Sequence, residues 1–216
     1  YLKFMSITIN YKSSLIQKNS INRVFFIDEK FNILSLKKHI LSSEYSFISD
    51  LMKAKDLKKN ILEFDLSSKK KLILVSLNKN ISGPQVENLG AKFFDLFKDN
   101  KISQYEVVSE TLSSKQNFLI GHFLHGISLK SYKFEKYKTK KIKNNFNIII
   151  TGKNKPSLRD QIKFKAIEEG TFYTRDLVSE PGNILHPDEY AKRLNSLKKH
   201  GLKINIYDEK KLKKMG

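Results

Sequence analysis

Cysteine is absent from the 216 residues, so a disulfide framework and a thiolate metal site are both excluded. The absence fits a reducing compartment, and a cytoplasmic location is the expectation. No apolar run approaches the roughly 20 residues needed to span a bilayer, and no signal-peptide pattern opens the chain. Arginine is scarce: Arg23, Arg159, Arg175 and Arg193 stand against 37 lysines. Base-specific nucleic-acid readers lean on arginine for bidentate contacts. A lysine surface at a net charge of +19 therefore implies solubility and, at most, non-specific nucleic-acid attraction. Internal repeats and low-complexity tracts are missing. So are the spacings G-x-x-x-x-G-K-[ST], G-x-G-x-x-G, G-x-S-x-G and H-E-x-x-H. The chain starts at Tyr1 and stops at Gly216 straight after a charged run, so both ends read as cut and a fragment is expected.

What is present alternates between two periods. Residues 2–9, Arg23–Asp28, Ile61–Leu66, Lys71–Leu77, Tyr105–Val108 and Phe146–Ile150 are predicted strands, rich in β-branched and aromatic residues. Phe31–Leu36 is expected to pair with Arg23–Asp28, and Ile61–Leu66 with Lys71–Leu77 as a hairpin. Helices are predicted at Ser43–Lys53, Val86–Lys98 and Asn117–Leu129. The second presents Val86, Leu89, Phe93, Leu96 and Phe97 on one face, with Gly90 and Ala91 suited to close packing on a sheet. Alternating strands and helices imply a three-layer α/β unit over residues 1–152. A helix of about 24 residues, twice the usual ~11–12, follows from Pro156 and bridges residues 153–180. Residues 181–216 then read as the opening of a second α/β domain. It comprises a helix after Pro187 that stops at Gly201, a strand over Leu202–Tyr207 and a short helix capped by Asp208.

The stretch Arg175–Pro187, RDLVSEPGNILHP, is the joint on which this organisation turns. Leu177 and Val178 close an apolar face running back through Tyr173, Ile162 and Leu158. Pro181 cannot continue the helix, and Gly182 and Asn183 tolerate positive φ, so a tight turn is expected there. Pro187 suits a helix first turn, with Asp188 and Glu189 at its positive end.

The candidate chemistry is thin. His122 and His125 are three apart on a helix, a spacing that can share a metal. No carboxylate stands near them in sequence, and ordinary packed positions are the simpler reading. His39, His186 and His200 are isolated. Thr151-Gly152-Lys153 joins a strand to a helix, as in phosphate cradles, but without the full motif a plain turn is simpler. Asp176 and Glu180 are one helical turn apart and could pair as acid and base; a surface role beside Arg175 is simpler. On residues alone, no catalytic, metal or cofactor-binding residue is assigned.

Two stretches taken together resemble the leucyl aminopeptidase (cytosol aminopeptidase) family. RDLVSEPGNILHPDEYAKRL (Arg175–Leu194) is similar to the segment leading into that family's catalytic domain. GISLKSYKFEKYKT (Gly126–Thr139) resembles its glycine, aliphatic, then Tyr-x-Phe-x-x-Tyr-Lys-Thr signature. EEGTFYTRDL and the tail GLKINIYDEKKLKKMG fall in matching order, so the resemblance covers residue 118 to the end and is general before it. It implies a macro-domain-like N-terminal domain, a long connecting helix and the start of a catalytic domain. It also implies hydrolysis of N-terminal residues from peptides by water activated between two divalent ions (manganese or zinc), and a homo-hexamer. The metal ligands, and the stretch containing Asn-Thr-Asp-Ala-Glu-Gly-Arg, would lie beyond Gly216. At position 186 the family usually has Ser or Thr, whereas this chain has His186. Two alternatives stay open: a basic nucleic-acid-binding module and a non-catalytic oligomerisation module.

Overall fold

The computed structural model describes residues 7–13, 21–112, 116–139 and 145–216. Contacts divide it into two units, Tyr1–Glu169 and Gly170–Gly216.

The first unit is built on a six-stranded sheet. Its strands are β1 (Ile7–Tyr11), β2 (Asn22–Asp28), β3 (Ile61–Ser67), β4 (Lys70–Leu77), β5 (Gln104–Val108) and β6 (Phe146–Thr151). Their spatial order is β1-β6-β5-β2-β4-β3. All neighbours run parallel except the β3–β4 hairpin. The interior strands read as near-continuous apolar runs because both faces are covered. On β2, Val24 and Phe26 join one core, while Phe25 and Ile27 join the other. The first core holds α2 (Gly83–Phe97) and α3 (Asn117–Lys130); the second holds α1 (Ser42–Leu51) and a 3-10 turn at Leu34–Lys38. This is the expected three-layer α/β arrangement. Aromatic rings knit the first layer, with Phe123 lying 5.2 Å from Phe26 and 5.3 Å from Phe93. Between β2 and β5, Arg23 Nε donates to the fully buried Glu106 carboxylate at 3.0 Å, so one of the four arginines is committed inside the fold.

The β3 edge is charged and irregular. Lys71 on β4 pairs with both Glu63 (3.0 Å) and Asp65 (2.7 Å), and the register shifts between Asp65 and Ser67.

Helix α2 starts earlier than its periodicity implies. Pro84 sits in its first turn, and the Ser82 amide donates to Gln85 Oε1 at 2.9 Å, so Ser82-Gly83-Pro84 starts the helix. Phe94 faces inward, and Leu96, expected on that face, is exposed. Gly90 packs on α3, not on the sheet: a Cβ there would lie 2.0 Å from the Phe123 carbonyl oxygen.

Three other expectations are corrected. Phe31–Leu36 is not a strand. The side neighbours of β2 are β4 and β5, which leaves no edge to pair with. Instead Asp28 Oδ1 accepts from the Lys30 and Asn32 amides (3.1 and 3.0 Å), and Phe31 turns to a left-handed φ of 56°. The strand expected over residues 2–9 is described only from Ile7 and runs on to Tyr11; residues 2–6 lie outside the described residues. Leu202–Tyr207 forms no strand, and Leu202, Ile206 and Tyr207 are exposed. Alternation supplies a strand only when a partner strand satisfies its amides, and none does so among the described residues.

The long helix α4 is Leu158–Ser179, close to the expected span. Leu158, Ile162 and Val178, expected on its apolar face, are exposed; Glu168, Phe172 and Leu177 are buried. The second unit continues with α5 (Pro187–Asn195), a 3-10 turn over Ser196–His200 and α6 (Glu209–Met215). Gly201 takes a φ of 82° after that turn. As expected, Asp208 caps α6, accepting from the Lys211 amide at 2.8 Å.

Candidate functional site

His122 and His125 do converge, but on a carboxylate. Glu87 Oε1 accepts from Nδ1 of His122 (2.8 Å) and Nδ1 of His125 (3.1 Å). A carboxylate cannot donate, so each imidazole has a proton on Nδ1. Burial pushes the Glu87 carboxyl up, but the hydrogen bonds and charge interactions with His122 and His125 outweigh it and hold the carboxyl below the ordinary glutamate range. Nε2 of His125 is buried without a hydrogen-bond partner among the described residues. Phe164 covers both rings, with centroids 4.9 Å from His122 and 5.1 Å from His125. The cluster exists because α2 and α3 approach closely through small residues: a Cβ on Gly126 would lie 1.9 Å from the Glu87 carbonyl oxygen. Both Nδ1 atoms are spent on Glu87. Among the described residues no group of three or more His, Asp or Glu is placed to hold a metal.

Thr151-Gly152-Lys153 is a turn. Gly152 has a φ of 96°, and a Cβ there would lie 2.7 Å from Ser109 Oγ. The following helix end is already occupied, since Ser157 Oγ accepts from the Asp160 amide at 3.1 Å. Thr151 and Ser109 hydroxyls are buried without partners among the described residues.

Arg193 Nη1 donates to Glu180 (2.9 Å) and its Nε to Glu189 (2.9 Å), and the Tyr173 hydroxyl donates to the Arg193 carbonyl (2.9 Å). The turn after Pro181 closes through the Ile184 and Leu185 amides, both 2.9 Å from the Pro181 carbonyl. Neither Gly182 nor Asn183 uses positive φ, because a helical turn suffices. His186 sits at the α5 N-cap with no side-chain cap bond. His39 accepts from Arg23 Nη1 through its carbonyl (3.1 Å), and burial holds its imidazole below the usual range. His200 ends the 3-10 turn, exposed.

A crevice of about 520 Å³ opens at the carboxyl ends of β2 and β4, lined in part by Lys30, Leu34, Leu77, Lys79, Thr111 and Leu112. Sequence reading assigned no residue to it. The signal it carries is topological, since it depends on where successive connections leave the sheet.

No protein-family model matches the chain. Probable cytosol aminopeptidases do. That of Phytoplasma mali is 36% identical over 102 residues, 46% of this chain and 20% of its own length. That of Brucella ovis is 34% identical over 128 residues, 54% of this chain and 26% of its own length. Among solved structures, a tomato leucine aminopeptidase mutant superposes over 96% of this chain and 46% of its own, with a TM-score of 0.72 at 18% identity. The bottromycin maturation enzyme BotP gives 0.62 at 13% identity, over 91% and 41%. The chain thus spans a minor part of the length of the relatives it matches. By sequence the chain is similar to probable cytosol aminopeptidases, and by fold to the tomato leucine aminopeptidase, which supports its resemblance to the N-terminal region of that family.

Proposed function

We propose that the chain is the N-terminal portion of a metal-dependent leucyl aminopeptidase that removes N-terminal residues from peptides. The observation that carries this reading is 34–36% identity to probable cytosol aminopeptidases over 102 and 128 residues. On this reading residues 1–152 are a macro-like α/β domain, 153–180 a connecting helix and 181–216 the beginning of the catalytic domain. Two divalent ions, manganese or zinc, would polarise the scissile carbonyl and activate water. Among the described residues no group of three or more His, Asp or Glu is placed to hold a metal, and His122 and His125 turn Nδ1 to Glu87. No catalytic step is assigned to the described residues. Their part is architectural, with Arg193 tying Glu180 to Glu189 across the joint after α4.

The full-length enzyme is proposed to act in the cytoplasm as a homo-hexamer. The test is hydrolysis of leucine p-nitroanilide with added Mn²⁺ or Zn²⁺. The 216-residue chain gives no turnover, and a polypeptide extended to the relatives' length gives it. Turnover by the short chain, or none by the long one, refutes the assignment. The lysine surface accounts for non-specific attraction to nucleic acid, which disappears as salt rises.

A further inference from the structure

We propose that the crevice at the carboxyl ends of β2, β4 and β5 binds a small organic anion. The charged head, a carboxylate or a phosphate, sits between Lys30 and Lys79, and an apolar body lies over Leu77 and Leu112. The inference does not depend on the aminopeptidase reading.

Topology supplies the opening. The connection leaving β2 runs to the layer containing α1, while those leaving β4 and β5 run to the layer containing α2 and α3. Because β2 lies between β5 and β4, neighbouring connections part to opposite faces at its carboxyl end. That divergence leaves a crevice outside the strand ends, the place where open α/β sheets take ligands. Its volume of about 520 Å³ falls in the range that holds small molecules.

Side-chain chemistry sets the class. Leu77 and Leu112 are buried at the base, and Leu34 forms an exposed apolar lip. Lys30 comes from the loop after β2 and Lys79 from the loop after β4. Neither ammonium has an ion-pair or hydrogen-bond partner among the described residues. Of the two acidic side chains in the crevice wall, Asp28 is engaged through Oδ1 by its own loop amides. No ion pair joins Asp28 or Glu29 to Lys30 or Lys79 among the described residues, so both ammoniums remain available to an anionic head. The left-handed backbone of Phe31, a bulky residue with its ring buried, fixes the loop that presents Lys30. Strain of that kind is retained where a loop must hold a set shape.

The test uses the intact chain and four probes: 3-phenylpropionate, phenyl phosphate, inorganic phosphate and benzyl alcohol. Titrations are followed by amide chemical shifts in heteronuclear NMR at ~0.15 M salt, where surface charges are largely screened beyond ~8 Å. One or both aromatic anions bind, with shifts at residues 28–35, 77–79 and 111–112. Preference between the two identifies the carboxylate or the phosphate as the natural head. Lys79→Ala weakens binding about tenfold, the worth of ~1.4 kcal/mol, and Lys199→Ala, which removes an equal charge from the second unit, leaves it unchanged. Four outcomes overturn the proposal: no probe binds at millimolar concentration; benzyl alcohol binds as well as the anions; inorganic phosphate alone binds as tightly as phenyl phosphate; or Lys199→Ala weakens binding as much as Lys79→Ala.

Discussion

Alanine at position 126 should destabilise the protein, while alanine at position 170 should stabilise it. Both glycines are helical, so intrinsic propensity favours alanine at each by about 1 kcal/mol. Packing separates them. A Cβ on Gly126 would stand 1.9 Å from the Glu87 carbonyl oxygen and 2.6 Å from its carbon. Backbone cannot swing aside, so α2 and α3 must part by more than an ångström. That movement opens the aromatic contacts between Phe93 and Phe123 and pulls Glu87 from His122 and His125. Overpacking costs roughly 1–3 kcal/mol, occasionally more, and a backbone obstacle on a fixed helix pair belongs at the top of that range. After the propensity gain, the net loss is about 2 kcal/mol. At roughly 2–4 °C per kcal/mol for a chain of this size, Tm falls by about 4–8 °C. Gly170 has nothing within 4 Å of its Cβ position, so Gly170→Ala should gain about 0.4–1 kcal/mol through the unfolded state. Urea and thermal unfolding followed by far-ultraviolet circular dichroism measure both. If Gly126→Ala is as stable as the parent, or if both variants shift the same way, the close approach of α2 and α3 is refuted.

Two further predictions concern the same helices and the joint. Glu87 has a pKa below the ordinary glutamate value despite partial burial, so its stabilising contribution is complete above the unfolded value of about 4.3. That contribution is lost as pH falls through the lower folded value. Urea midpoints should therefore drop on acidification, and Glu87→Gln should lower the neutral-pH midpoint while flattening the acid dependence; an unchanged slope would refute the role given to the two imidazoles. His186 offers α5 no side-chain cap bond, and Thr is a far better N-cap. His186→Thr should add about 1 kcal/mol and raise Tm; no change or a fall would sink that idea.

The middle of the sheet was legible because its four inner strands are covered on both faces, and runs such as Lys71–Leu77 need no partner information to be recognised. Phe31–Leu36 and Leu202–Tyr207 show where that reasoning stops. Both have strand-like residues, but the first follows a strand whose two neighbours are already β4 and β5, and the second has no described partner. Strand pairing is a property of the sheet that a single segment does not carry. The His122–His125 spacing suggested a shared metal or plain packed positions, and their carboxylate partner was not legible because Glu87 lies 35 residues from His122 in the chain. Gly90 was recognised as a packing glycine yet assigned to the wrong surface, since a missing side chain reveals close approach without naming the neighbour. The resemblance of Arg175–Leu194 and Gly126–Thr139 pointed to the aminopeptidases where no single residue could, and the similarity to probable cytosol aminopeptidases supports it.

The charged, shifted rim of β3 has a consequence for how copies of this chain meet. An edge strand offers a row of unpaired amides and carbonyls that can template another chain. Here Glu63 and Asp65 crowd around Lys71, and the slip between Asp65 and Ser67 breaks the regular spacing that an added strand would have to match. A second copy approaching this side loses register and meets carboxylates. Fibril-like extension is thereby discouraged, and any ordered assembly must use surfaces other than the open side of the hairpin.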